Sequence, residues 1–315
     1  MDFSLSSGRQ GRQAVKVVVY GVEGIGKSTF AANFPSAVFI DTEGSTKFLD
    51  VTRFDPAPST WGDLLSMCGW AASNMSPGQT LVVDTLDWAE KLCAASICAE
   101  NGWKSIETPG YGKGYKVLQE SFAKLLSALD AVVRAGVNVC CTAHAKLTKF
   151  EQPDEAGAYD RWGMKLTDTR STSIAAMVKE WADCVLFANY ETIVETTDSG
   201  KAKARGNRRV MYAVHDACWD AKNRWGLPPK LDFDYQAIAP HVPGGATGGD
   251  LRSLMVRDGV SEDELRRAVA SQMIAPMDTP VDDYAPEIVS RLVAHWDGVV
   301  QMVGELRQQQ DIPFA

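Results

Sequence analysis

The sequence lacks the features of a membrane or secreted protein. No apolar run in its 315 residues reaches the length of about 20 residues that a bilayer-spanning helix needs. The opening segment, MDFSLSSGRQGRQ, is polar and has no apolar signal core, so we interpret it as a flexible arm. These absences predict a cytoplasmic protein that contacts no membrane.

Paired metal-ligand cysteines are also missing. The seven cysteines form no CxxC pair, and no group of cysteine and histidine has zinc-site spacing. Several lie in apolar runs such as 137–141, which predicts buried, reduced thiols. The formal net charge of −8 argues against a protein that coats DNA by bulk electrostatic attraction, but it leaves room for local basic loops.

Apolar strands alternate with helical patterns over the first half of the chain. The strands are apolar throughout and show no polar alternation, which is the pattern of strands buried on both faces of a sheet. Strands separated by helices indicate an α/β fold with a mainly parallel central sheet. The predicted strands are 15–20, 37–40, 80–83 and 137–142, and the predicted helices are 29–34, 60–73, 87–100 and 115–134.

The second half of the chain is less regular. Polar residues dominate 146–170, which we interpret as a long loop, and a short helix follows at 174–181. Two further strands, at 185–194 and 208–214, are joined by a polar tip.

The end of the chain is predicted to be helical. Ser261 and Glu264 form a capping-box pattern, and Pro286 suits the first turn of a final helix that runs to about Gln309. Together these patterns predict four regions: a flexible arm at 1–14, an α/β core at 15–243, a glycine-rich linker at 244–249 and a helical region at 250–315.

Residues 21–28 match the phosphate-binding pattern G-x-x-x-x-G-K-[ST] at every fixed position. Glycines let successive backbone N–H groups face the phosphates, the lysine reaches the β- and γ-phosphates, and the hydroxyl ligates Mg²⁺. The motif follows a strand and opens a helix, so ATP and Mg²⁺ are the expected cofactors. The predicted contacts are Gly21, Val22, Glu23, Gly24, Ile25, Gly26, Lys27, Ser28 and Thr29.

Polar side chains at the ends of the later strands are candidates for the chemistry. Asp84 ends the third strand, where it can hold a Mg²⁺-bound water or, alternatively, cap the helix that begins near Asp87. Asp41 and Glu43 follow the second strand and can orient water, or they are solvated loop acids. His144 follows the fourth strand and can bond the γ-phosphate, or it is structural.

In this order, the motifs of residues 14–240 resemble the RecA/DnaB/KaiC superfamily, and most closely small phage-encoded RecA-core ATPases, some of which act in single-strand annealing or recombination. The resemblance implies a RecA-like core that hydrolyses ATP to ADP and phosphate in a host cytoplasm. It also implies that Glu43 activates water and that Asp84 belongs to the Mg²⁺ site. His144 stands where the recombinases carry a glutamine that senses the γ-phosphate.

A second consequence of the resemblance concerns assembly. The segment 221–224, Ala-Lys-Asn-Arg, is similar to one that RecA filaments insert into the ATP site of a neighbouring subunit. Lys222 and Arg224 then become candidate fingers acting in trans within a homo-oligomeric ring or filament. The alternative is that both are exposed cations near two prolines.

RecA-type proteins bind single strands through two loops, and both have counterparts in this chain. Loop 108–116 interleaves tyrosines with lysines and glycines, which suits base stacking and backbone contact. Loop 146–170 mixes cations with five acids, and the tip at 201–209 is the most basic stretch of the chain. The candidate nucleic-acid residues are Tyr111, Lys113, Tyr115, Lys116, Lys146, Lys149 and Arg161.

The sequence therefore predicts an ATP-dependent RecA-core protein that acts on single-stranded DNA, with a single-strand-binding protein or another replication protein as a further partner. One rival is a regulatory or assembly ATPase that binds a protein partner and no DNA, which the acidic net charge favours. The other is a helicase-like motor.

Overall fold

The structure is a computed structural model, and the chain divides into two compact units. One comprises Met1–Met75 with Thr80–Pro243, and the other comprises Ser76–Gln79 with Gly244–Ala315. No helix in the described part of the chain combines the length and the apolar content that crossing a bilayer requires. The described residues are 13–151, 157–191, 193–196, 202–244 and 248–310.

The first unit is built on a large mixed sheet. The strands are β1 (Lys16–Gly21), β2 (Ala37–Asp41), β3 (Thr52–Arg53), β4 (Thr80–Asp84), β5 (Asn138–Glu151), β6 (Ala158–Met164), β7 (Cys184–Tyr190), β8 (Ile193–Thr196), β9 (Ala202–Arg205), β10 (Arg209–Tyr212), β11 (Lys222–Asn223) and β12 (Lys230–Asp232). The helices are α1 (Lys27–Ala32), α2 (Trp61–Asn74), α3 (Leu86–Asn101), α4 (Lys113–Arg134) and α5 (Ile174–Trp181).

The central strands run parallel in the order β7-β1-β5-β4-β2-β3. Strands β10 and β12 extend the β7 side in antiparallel fashion, and β8 and β9 form a separate two-stranded sheet. Strand β5 therefore lies between β1 and β4, so the ends of these three strands meet at one edge. The predicted α/β fold with a mainly parallel sheet is confirmed.

Both faces of this sheet are buried, as the apolar strands predict. Along β1, Val17 and Val19 pack into a core on one face, while Val18 and Tyr20 pack into a core on the other. All four side chains are inaccessible to solvent. Because successive side chains of a strand point to opposite faces, only a strand that is apolar at every position can be covered on both sides.

The interpretation of 146–170 as a loop is wrong. Strand β5 continues beyond the sheet to Glu151 and pairs with β6 in an antiparallel hairpin. Its sequence looks like a loop because the hairpin extends into solvent, where Leu147 is half-exposed and apolar alternation is not required. The pairing is decided by backbone hydrogen bonds between the two strands and by Trp162, which lies 5.9 Å from the Phe187 ring.

The second unit is helical, with α6 (Gly248–Asp258), α7 (Glu262–Ser271), α8 (Pro286–Ala294) and α9 (Trp296–Gln310). The capping box of Ser261 and Glu264 forms as predicted, and Pro286 occupies the first turn of α8. Two predictions need correction. Gly248 and Gly249 begin α6 and are not linker residues, whereas 245–247 lie outside the described residues. The single final helix is also divided in two at His295.

Candidate nucleotide-binding site

The phosphate-binding turn lies between β1 and α1 and depends on its glycines. Gly24 and Gly26 have φ angles of 73° and 101°, a region of backbone space that residues with a side chain rarely adopt. At Gly21, an added Cβ would lie 2.3 Å from the carbonyl oxygen of Ala188 on β7. The motif positions thus meet requirements of backbone conformation and of strand packing.

Lys27 lies inside this turn and is only 6% exposed. Its Nζ donates to the carbonyl oxygens of Gly21 (3.2 Å) and Val22 (3.1 Å). Burial lowers the pKa of Lys27, and the nearby carboxylates of Asp84 and other acids oppose that shift. The Lys27 ammonium is therefore held inside the turn by two carbonyl oxygens. A bound phosphate would replace these carbonyl groups as the hydrogen-bond partner of Lys27.

Asp84 lies at the carboxyl end of β4 and collects hydroxyl groups from three elements. Its Oδ2 accepts hydrogen bonds from Ser28 (2.6 Å) and Ser45 (3.1 Å), and its Oδ1 accepts one from Thr142. Asp84 does not cap α3, whose N-cap residue is Thr85. The Asp84 carboxylate instead contacts Ser28 of the phosphate-binding turn. Sequence reasoning missed Ser45 and Thr142, which no motif marks.

Asp41 is buried beneath the loop that follows β2, whereas Glu43 lines the pocket. Asp41 is buried, and its two oxygens accept hydrogen bonds from the backbone amides of 43–46 and from the Thr46 hydroxyl. Burial raises the pKa of Asp41, but these hydrogen bonds outweigh it and leave the pKa below its usual value. Asp41 thus folds the loop after β2, and that loop directs Glu43 toward the site.

His144 lies at the end of the sheet portion of β5, with Asp87 behind it. Asp87 accepts a hydrogen bond from the His144 backbone amide (3.0 Å), and its Oδ2 lies 2.9 Å from His144 Nδ1. The other ring nitrogen, Nε2, lies 3.9 Å from Glu43 Oε2. Burial raises the pKa of Asp87, but the His144 contacts outweigh it and lower the pKa overall.

Asp87 was absent from the predicted site residues. The sequence places it in the first turn of α3, where an acid is also expected as a helix-stabilising residue. Its contact with a histidine 57 residues away is decided by the pairing of β4 with β5.

Several of these groups line one pocket of about 490 Å³. Its lining includes the phosphate-binding turn, Glu43, Ser45, Asp84 and His144. The described residues contain no cluster of three or more His, Cys, Asp or Glu side chains that would form an all-protein metal site. A serine hydroxyl beside a carboxylate instead suits Mg²⁺, which prefers oxygen ligands and keeps sites for water and phosphate.

Lys222 and Arg224 lie far from this pocket within their own subunit. Lys222 Nζ donates to the carbonyl oxygens of Lys179 (2.9 Å) and Glu180 (2.7 Å), and Arg224 lies 3.2 Å from Asp183. Strand β11 pairs with the amino end of β7, about 13 Å along the strand from the residue that faces Gly21. These cations cannot reach the phosphate site of their own chain.

The candidate nucleic-acid residues divide into two kinds. Tyr111, Lys113, Lys116 and Lys149 are exposed. The others have partners within the chain: Tyr115 donates to Glu107 (2.9 Å), Lys146 donates to the Leu166 carbonyl (2.6 Å), and Arg161 donates to Asp220 (2.8 Å). Of the basic tip at 201–209, Lys201 and the side chains of Lys203 and Arg205 lie outside the described part of the chain.

The match to known proteins covers the whole of this site. A family model described as an AAA domain matches residues 13–225, which include the phosphate-binding turn and every residue that lines the pocket. No curated protein sequence matches the chain. The chain therefore belongs to the AAA domain family, and its first unit is a nucleotide-binding domain of the P-loop NTPase type.

Proposed function

We propose that the protein is a Mg²⁺-dependent ATPase of the RecA-like type that acts on single-stranded DNA in recombination or annealing. The observation that carries the ATPase is the single pocket in which Lys27, Ser28, Asp84 and Glu43 converge. Lys27 binds the β- and γ-phosphates, and the backbone amides of the glycine-rich turn cradle them. Ser28 and Asp84 would hold Mg²⁺, which when bound neutralises phosphate charge.

Glu43 supplies the group that hydrolysis requires beyond binding. It orients a water molecule toward the γ-phosphate and accepts a proton from it, while Lys27 stabilises charge on the phosphoryl oxygens. Asp87 engages His144 Nδ1, so Nε2 is the ring atom that faces the γ-phosphate. Phosphate oxygens only accept hydrogen bonds, so His144 bonds Asp87 and the γ-phosphate together when each ring nitrogen carries a proton. His144 thereby distinguishes ATP from ADP.

The proposed ATPase activity is tested by measuring ATP binding and ATP hydrolysis for the wild type and for Lys27→Ala. We expect the wild type to bind ATP and hydrolyse it with Mg²⁺, and Lys27→Ala to lose hydrolysis and bind ATP weakly while its melting temperature is retained. Lys124→Ala removes an exposed lysine on α4 and serves as the matched control. Wild-type turnover in Lys27→Ala would refute the proposal.

Two observations support single-stranded DNA as the ligand. Tyr111 is fully exposed on a turn between two glycines, and exposed Lys113 and Lys116 follow it on the first turn of α4. An aromatic face beside cations suits stacking of a base and contact with the backbone. The Gly112 end of this turn lies 3.8 Å from the Ser171 hydroxyl oxygen (measured from an added Cβ), one residue beyond the segment 146–170.

Binding of a labelled oligonucleotide, with and without ATP and over a range of salt concentrations, separates the alternatives. We expect ATP-dependent binding that weakens as salt rises, because displaced counterions dominate such contacts. Absence of binding under all conditions would favour the regulatory or assembly ATPase with a protein partner. Binding together with directional unwinding would favour the helicase-like motor.

A further inference from the structure

Arg209, the first residue of β10, lies against the phosphate-binding turn. Its Nη1 donates to the carbonyl oxygen of Ile25 (3.3 Å), and it would lie 2.9 Å from a Cβ added to Gly26. The two contacting residues are 184 positions apart, so the approach is produced by the tertiary fold. A cation is thus held against the loop that binds the nucleotide.

The positive charge of Arg209 has no acidic partner among the described residues. The contact with Ile25 engages one of the five N–H donors of its guanidinium, and no carboxylate among the described residues pairs with it. Its neighbour Arg208 differs, since Arg208 lies 2.6 Å from Asp232 and 3.8 Å from Glu191. The sequence thus offers adjacent arginines, of which one is paired with acids and the other is directed at the turn.

The sheet order indicates which half of the nucleotide lies near Arg209. Glu43 follows β2, Asp84 ends β4 and His144 lies in β5, so the groups that address the γ-phosphate are all on one side of β1. Arg209 reaches the turn from β10, which lies beyond β7 on the opposite side of β1. A nucleotide whose γ-phosphate faces the first group therefore extends its nucleoside toward the second.

We infer that Arg209 binds the nucleoside half of the nucleotide, with its guanidinium plane against the purine base. A guanidinium is planar and weakly hydrated, so it stacks on aromatic faces more readily than an ammonium group does. This assignment rests on the proposed nucleotide binding, and it adds to that site a residue that no phosphate motif contains.

Three probes test this inference: ATP, ADP and inorganic tripolyphosphate, each competing with a fluorescent adenine nucleotide. We expect Arg209→Ala to weaken ATP and ADP equally, by roughly 2- to 30-fold. Tripolyphosphate has no base, so its affinity should not change. Arg208→Ala removes the same charge from the adjacent position and should leave all three affinities at the wild-type values.

Other outcomes overturn the inference. Unchanged nucleotide affinity in Arg209→Ala would show that Arg209 does not contact the nucleotide. An equal loss for tripolyphosphate would make it a brace for the phosphate-binding turn. Should Arg209→Ala fail to fold, Arg209→Gln retains donors for the Ile25 carbonyl but lacks the charge, and the same expectations apply to it. A wild-type protein that binds none of the probes would refute the proposed function itself.

Discussion

His144 lines the nucleotide pocket, and Asp87 holds it from behind. The Asp87 carboxylate is buried and contacts both the backbone amide and Nδ1 of the histidine, which fixes the direction of the ring. With Nδ1 engaged, Nε2 faces Glu43 and the pocket. The orientation of His144 is therefore a property of the pair.

Replacing Asp87 tests this pair. Asp87→Asn removes the carboxylate that balances a ring protonated on both nitrogens, so His144 loses the Nε2 proton that a γ-phosphate oxygen would accept, and the turnover of ATP should fall. Loss of a hydrogen bond to a buried charged group should also destabilise the fold by about 1–3 kcal/mol. Turnover and thermal unfolding, each compared with the exposed-acid control Asp50→Asn, measure the two effects. Wild-type values for both would refute the assigned role.

The same variant predicts a pH dependence. Because the pKa of Asp87 is lowered in the folded protein, its contribution to stability is fully present above the unfolded value of about 3.9. That contribution is lost as the pH falls through the lower, folded value. The difference in melting temperature between wild type and Asp87→Asn should therefore shrink in acid.

Replacing Glu43 and replacing Asp41 should have different effects on activity and stability. Glu43→Gln should bind ATP and keep the wild-type melting temperature, but hydrolyse ATP roughly 10²- to 10⁴-fold more slowly because the group proposed to activate water is removed. Asp41→Asn should lose activity together with stability, since an amide nitrogen cannot accept the hydrogen bonds that fold the loop. Near-normal turnover in Glu43→Gln would show that another group activates water.

At the scale of elements, helix α3 joins the nucleotide pocket to the segment after the β5–β6 hairpin. Asp87 and Glu90 are three positions apart and share a helix face. Asp87 contacts His144, while Glu90 accepts hydrogen bonds from the backbone amide and hydroxyl of Thr167. The first turns of one helix thus hold both the histidine of the pocket and the segment that follows β6.

The turn before α4 is the element where we expect a single strand to bind. Tyr111→Ala combined with Lys113→Ala should weaken oligonucleotide binding, because base stacking is worth roughly 1–3 kcal/mol per base. Lys124→Ala removes a lysine from the same helix at a distance from this turn. Equal oligonucleotide affinity in the double variant and this control, measured by fluorescence anisotropy, would exclude the turn from the DNA path.

At the scale of the whole molecule, the position of Lys222 and Arg224 restricts what they can do. Both lie at the amino edge of the sheet, so an action on phosphate requires the pocket of a second subunit. Each also has an intrachain partner, which makes a structural role the alternative. The two roles differ in whether a second subunit can supply the missing group.

A mixing experiment separates these roles. Subunits with Lys222→Ala and Arg224→Ala retain the phosphate-binding turn, while Lys27→Ala subunits retain the cations. Each alone should be inactive, and the mixture should partly recover ATPase activity, because a cation in trans stabilises charge on the transferred phosphoryl group. Full activity of the cation variant alone, or no recovery despite confirmed co-assembly and an unchanged melting temperature, would refute action in trans.

Truncation tests the independence of the first unit. A chain ending at Gly244 keeps Pro243, whose carbonyl oxygen accepts a hydrogen bond from Asn138 at the start of β5 (2.7 Å). We expect this chain to bind ATP with wild-type affinity, because every residue that lines the pocket precedes the cut. A soluble, folded truncation that cannot bind ATP would show that the helical unit belongs to the nucleotide site.

The phosphate-binding turn and the parallel sheet could be predicted from the sequence because their causes are local. Eight consecutive residues fix the turn through their backbone conformations, and uninterrupted apolar runs mark strands that are covered on both faces. The predicted helix at 174–181 also matches α5, whose cap, Ser173, and apolar face are neighbours in sequence.

Only the tertiary structure decided the rest. Asp41 and Glu43 look equivalent in the sequence. In the structure Asp41 is buried and accepts hydrogen bonds from the following loop, whereas Glu43 lines the pocket. Strand pairing brings Asp87 to His144, and packing brings Arg209 to Ile25. The β5–β6 hairpin likewise depends on pairing between segments that read as polar loop. These contacts join distant residues, so they leave no periodic or motif-like signal in the sequence.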